Sequence, residues 1–67
     1  MLVTHLTERR KAAGMTQAHL AEAAGVSRKT INTIENRVFV PSTVLALTLA
    51  RVLECSVHDL FELERSV

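Results

Sequence analysis

Two segments with helical spacing meet across Ala24-Gly25-Val26-Ser27, and this short turn constrains the fold more than any other feature of the chain. So brief a connection cannot return one helix antiparallel to the other, so the two must cross steeply. Gly25 supplies the left-handed conformation that stops the first, and the Ser27 hydroxyl can cap the second. Glycine occurs elsewhere only at Gly14. The two glycines punctuate the N-terminal half.

Reading outward from that turn gives five helices. The first runs from about Thr4 to Ala13 and is stopped by Gly14. Thr16 caps the second, Gln17 to Ala24, and Ser27 caps the third, Arg28 to Glu35. After an irregular stretch from Asn36 to Pro41, Ser42 caps a fourth over Thr43 to Glu54, and Ser56 opens a short fifth through Phe61. The fold class is all-α. Leu2 and Val3 at one end, and the alternating Phe61 and Leu63 at the other, leave open a two-stranded pairing of the termini.

A chain of 67 residues is expected to form one domain, residues 1–67, that buries only about 60% of its unfolded surface, so a partner subunit would help it. Its 48% hydrophobic content argues against disorder, and no apolar run approaches the roughly 18 residues of a membrane span. The first fifteen residues lack the apolar stretch of a signal peptide and carry a helical pattern instead. Lone Cys55 cannot form an internal disulfide, which makes a reducing, cytoplasmic setting the default.

The net charge of +1 conceals an asymmetry. Arg9, Arg10, Lys11, Arg28, Lys29 and Arg37 outweigh Glu8, Glu22 and Glu35 in the first half. In the second half Arg51 and Arg65 are outnumbered by Glu54, Asp59, Glu62 and Glu64. This is either a mixed solvated surface or a fold with one positive end.

Spacing the third helix at about 100° per residue puts Ile31 and Ile34 on one side and Lys29, Asn32, Thr33 and Asn36 on the other, with Arg28 at the edge. The isoleucines anchor the helix, and the opposite face offers hydrogen-bonding groups. An ordinary solvated helix has such a face, but so does one that reads DNA. A helix about 10–12 Å wide fits the major groove, about 12 Å across, where arginine suits guanine O6 and N7, asparagine suits adenine, and the threonine methyl suits thymine.

The pattern Gln17-x-x-Leu20-Ala21-x-x-x-Gly25-Val26-Ser27-x-x-x-Ile31-x-x-Ile34-Glu35-Asn36 resembles the Cro/C1-type helix-turn-helix family. Pro41-Ser42 with Leu45, Leu49, Ala50 and Leu53, then Leu60-Phe61, continues the likeness over about residues 5–61, with the helix-turn-helix proper at 16–36. The resemblance implies a five-helix lambda-repressor-like DNA-binding domain. It implies base contacts from Ser27, Arg28, Lys29, Asn32 and Thr33, and phosphate contacts from Gln17 and Asn36. Arg37 stands where the family commonly has glycine. There it strains any positive φ unless Asn36 takes it, and it either reaches a phosphate or is simply exposed.

Arg10 and Glu35 are charged residues at the margins of core faces, and they either pair or reach solvent separately. The resemblance implies an ion pair that ties the first helix to the third. Val44 and Leu47 lie among polar residues of the fourth helix, and with Val57, Leu60 and Leu63 they are surplus apolar groups that a second subunit would cover. Phe39, in the unusually apolar Val38-Phe39-Val40, either packs locally or joins that contact. The resemblance further implies a homodimer on a near-palindromic operator; the simplest mechanism is then repression by occluding a promoter, with activation left open.

His5, His19 and His58 lie on different elements without ligand spacing, so no metal site is expected, and Cys55 reads as a small apolar residue. No nucleophile–base pair, paired carboxylates or phosphate-cradling loop points to an enzyme. No cofactor or small-molecule ligand is evident, and the expected partner is double-stranded DNA. The rival reading is an antitoxin or other protein-interaction module of the same fold.

Overall fold

The computed structural model describes residues 2–64. Its elements are β1 (Leu2–Thr4), α1 (Leu6–Ala12), α2 (Gln17–Ala24), α3 (Arg28–Glu35), α4 (Thr43–Val52), α5 (Val57–Leu60) and β2 (Phe61–Leu63).

Side-chain oxygens open four of the helices. Thr16 accepts from His19 N–H, Ser27 from Thr30, Ser42 from Leu45 and Ser56 from Asp59, each satisfying a donor that the helix cannot. At α5 the Asp59 carboxylate also accepts from Ser56 N–H at 2.9 Å, completing a capping box.

The exits of α1 to α4 share one geometry. Met15, Val26, Val38 and Cys55 donate their N–H to the carbonyls of Arg10, Ala21, Thr33 and Ala50, while the residue before each donor bonds one position further along its helix. This is the Schellman motif, with a left-handed residue just past the helix. Gly14 (φ 71°) and Gly25 (φ 74°) fill that position after α1 and α2, but Arg37 (φ 62°) and Glu54 (φ 55°) fill it after α3 and α4. Asn36 keeps φ −90°, so the strain anticipated at the end of α3 falls on Arg37. The same turn ends α4 at Val52, two residues before the expected Glu54.

The termini pair. β1 runs antiparallel to β2 in the register Leu2↔Leu63, Val3↔Glu62, Thr4↔Phe61. His5 N–H then donates to Leu60 carbonyl at 2.7 Å, carrying the pairing to the junction of α1 and α5. This pairing takes Thr4 out of the first helix, which begins at Leu6, and takes Phe61 out of the last.

Leu6, Leu20, Ala21, Ile31, Ile34, Leu49, Ala50, Leu60 and Phe61 form the core. Every element from α1 to β2 contributes, so α3 is held by its two isoleucines against α2 and α1. One assignment needs correcting. Leu60, expected at a subunit contact, is 0% exposed: α5 is a single turn packed on α4, and its last side chain is enclosed by the subunit's own core. Val57 is half-buried against that core, whereas Val44 (75%), Leu47 (56%) and Leu63 (81%) are exposed.

Candidate nucleic-acid interface

The site begins with α3. Its cap Ser27 holds Thr30 N–H at 3.1 Å and Thr30 Oγ1 at 3.0 Å, so that hydroxyl is already engaged in starting the helix. Arg28 and Lys29 follow in the first turn, both exposed and without a hydrogen bond or ion pair among the described residues. A helix N-terminus favours anions, and two unpaired cations there concentrate positive charge.

Arg28, Lys29 and Asn32 of α3 meet Gln17 of α2 around one shallow surface depression. It forms where α2 packs on α3, because Gln17 begins one helix where the other presents its outer face. Thr33 is half-buried, and its hydroxyl donates to Thr30 carbonyl at 2.9 Å, which leaves its methyl for any outside contact. Asn36 is exposed at the C-cap of α3. Arg37 is exposed at the far end of α3 and lines a separate apolar groove with Leu2, Ile34, Phe39, Val40 and Phe61.

Behind this surface runs a polar brace. Arg10 Nε donates to Glu35 Oε2 at 2.7 Å, Nη2 to Oε1 at 3.2 Å, and Nη1 to Met15 carbonyl at 2.9 Å. The side chains are 11% and 5% exposed, so the pair is screened from water. Burial opposes ionisation of Glu35, but hydrogen bonds from Arg10, Gln17 and Thr7 outweigh it and hold the carboxyl below its ordinary range. The brace joins α1 to the last turn of the helix that carries Arg28 and Lys29.

Gln17 was expected only to meet phosphate. In the structure its Nε2 donates to Glu35 Oε1 at 3.1 Å and to Asn32 Oδ1 at 3.2 Å, linking the brace to the outer face of α3. Sequence reasoning missed this. The available signal was the spacing of Asn32 and Glu35, three apart on one helix and within reach of a glutamine at the start of its neighbour.

A second polar cluster, also missed, lies where the terminal strands meet α1. His5 Nδ1 is 3.1 Å from Glu8 and Nε2 is 2.9 Å from Glu62, while Arg9 lies 3.5 Å from Asp59. The Glu62 and Glu8 carboxylates raise the His5 pKa. Cys55 is half-buried, and burial raises its thiol pKa, which keeps it in the unreactive protonated form.

Two capped helices of eight residues each, joined through Gly25, Val26 and Ser27 inside a five-helix frame closed by a small sheet, define a lambda-repressor-like helix-turn-helix domain. Residues 6–60 match the helix-turn-helix family, and the chain belongs to it. That family is one of transcriptional regulators rather than enzymes. An HTH-type transcriptional regulator of Methanothermobacter thermautotrophicus is 42% identical over 62 residues, which cover 91% of this chain and 90% of that one. Another, from Archaeoglobus fulgidus, is 43% identical over 58 residues, 87% and 83% of the two chains. Among solved structures, the biofilm regulator SinR in complex with DNA superposes with a TM-score of 0.74 at 33% identity, over 79% of this chain and 86% of that one. No helix among the described residues is long and apolar enough to cross a membrane.

Proposed function

We propose that this chain is a sequence-specific DNA-binding repressor that acts as a homodimer on a near-palindromic operator in the cytoplasm. The observation that carries the reading is the exposed first turn of α3, where Arg28 and Lys29 stand without partners among the described residues on a helix anchored by buried Ile31 and Ile34. A charge pair held ready in this way, on a helix of groove width, suits base edges and phosphates. The similarity to SinR, solved with DNA bound, supports it.

In this reading Ser27, Arg28, Lys29, Asn32 and the Thr33 methyl face bases, while the Gln17 backbone N–H at the start of α2, Asn36 and Arg37 face phosphates. Base contacts select sequence and phosphate contacts set register and overall affinity. One such helix reads only a few base pairs, and a few phosphates give weak, salt-sensitive binding. Two subunits with their reading helices about 34–36 Å apart would engage successive turns of one groove face. A bound dimer then blocks polymerase from the promoter.

The test is selection of bound fragments from random duplexes at a stated salt concentration, followed by Arg28→Ala on the selected site. The variant should lose about 1–3 kcal/mol of binding and relax one base position. Equal losses on selected and random DNA would remove Arg28 from base reading, and absence of any preferred duplex would end the proposal.

One observation favours a second reading, a protein-interaction module such as an antitoxin: Val38, Phe39, Val40, Val44 and Leu47 form an exposed apolar set. That reading requires a different protein to cover the set. A stable homodimer in isolation, with the set buried, decides against it.

A further inference from the structure

Resting on the DNA-reading proposal, we infer that Gln17 is a positioning residue that turns Asn32 into a hydrogen-bond donor toward the groove, so that Asn32 selects guanine rather than adenine. Glu35, paired with Arg10 through both oxygens, can only accept. The Gln17 atom 3.1 Å from Glu35 Oε1 must therefore be its nitrogen. The second N–H of that nitrogen reaches Asn32 at 3.2 Å, so the Asn32 atom facing it must be the carbonyl oxygen.

The polarity of the Asn32 amide is thus set from inside the fold, through Arg10, Glu35 and Gln17 in turn. Its carbonyl is directed to α2, and its NH2 group, which has no hydrogen bond among the described residues, is the half left to meet a base. A bidentate adenine contact needs both halves of the amide on the base edge, one accepting from N6 and one donating to N7. Two donors from a single NH2 group suit two acceptors, and guanine presents O6 and N7. Arg28 and Lys29, which line the same depression, are likewise donors without acceptor capacity. The surface around the depression therefore asks for acceptors, and the half-site is guanine-rich.

The experiment starts from the duplex selected by the wild-type protein. The base position assigned to Asn32 is the one whose preference Asn32→Ala abolishes. Guanine is expected there; replacement by adenine or 7-deazaguanine should weaken wild-type binding about tenfold or more, while inosine, which keeps O6 and N7, should change it little. Gln17→Leu should bring the guanine-to-adenine affinity ratio at that position close to one. This ratio is unaffected by a uniform loss such as a missing phosphate contact or partial unfolding, and the base-analogue arms need no variant at all. Adenine at the Asn32 position, indifference to 7-deazaguanine, or an unchanged ratio in Gln17→Leu overturns the inference while leaving the DNA reading intact. Failure of the wild type to prefer any duplex ends both.

Discussion

Arg10 on α1 and Glu35 on α3 hold one another through two hydrogen bonds, 2.7 and 3.2 Å long, with both side chains withdrawn from water. An ion pair so placed orients α3 and stiffens the surface that Gln17 and Asn32 present. Such a pair need not stabilise the fold relative to apolar residues of matching volume, but each half depends on the other.

Arg10→Ala should therefore destabilise the domain by about 3–5 kcal/mol, because it leaves an unpaired carboxylate in the interior. The double replacement Arg10→Met with Glu35→Leu should lose far less. Urea denaturation of both variants checks this; equal losses would mean that packing, not charge, supplies the stability. The pair also has a pH signature. The folded-state pKa of Glu35 is depressed, so its contribution is present above the unfolded value and is lost as pH falls through the folded one.

His5 behaves with the opposite sign. Its folded-state pKa is raised above 6.5 by the Glu62 and Glu8 carboxylates. Its stabilising effect is thus complete below 6.5 and disappears as pH rises through the raised value. Melting temperature measured across neutral to mildly alkaline pH should fall in the wild type, and that step should be absent in His5→Ala and reduced in Glu62→Gln.

The helix exits offer a gain in stability. Arg37 and Glu54 occupy left-handed positions that glycine fills without steric cost, as Gly14 and Gly25 do after α1 and α2. Arg37→Gly and Glu54→Gly should each stabilise by about 0.5–1 kcal/mol, the left-handed penalty of about 1–2 kcal/mol less the extra unfolded-state freedom of glycine. Gly25→Ala should destabilise by a similar amount, and since a Cβ there meets nothing within 4 Å, the loss is purely one of backbone conformation. Thermal melts of the three variants test the sign of each change.

The proposed subunit contact can be tested at α4. Leu47 is 56% exposed and lies outside the core, so Leu47→Glu should leave the helical signal intact while dissociating the dimer. Losing the second reading helix should lower affinity for a palindromic site by about 10²- to 10⁴-fold. Sedimentation and DNA titration of the same sample check both. Dimers that persist with full affinity would place the contact elsewhere, the exposed Leu63 being the next candidate. Leu63 shares a strand face with buried Phe61 but projects past the core that covers it.

Local chemistry alone settled most of the helical frame. Thr16, Ser27, Ser42 and Ser56 each begin a helix where a hydroxyl is expected to, and Gly14 and Gly25 end two. These signals act over three or four residues, so they can be read from a linear chain, and the spacing of Ile31 and Ile34 identified the buried side of α3 in the same way. Contacts across the fold could not be read so directly. The pairing of Leu2–Thr4 with Phe61–Leu63 shortened the first helix from one end of the chain by means of the other, and enclosure of Leu60 removed it from the outer surface. The hydrogen bond from Gln17 to Asn32 likewise depends on where two helices cross. A residue's neighbours in sequence determine its backbone, but a polar or apolar side chain takes its partner from whatever the packing brings near it, and that is decided only when the whole chain has folded.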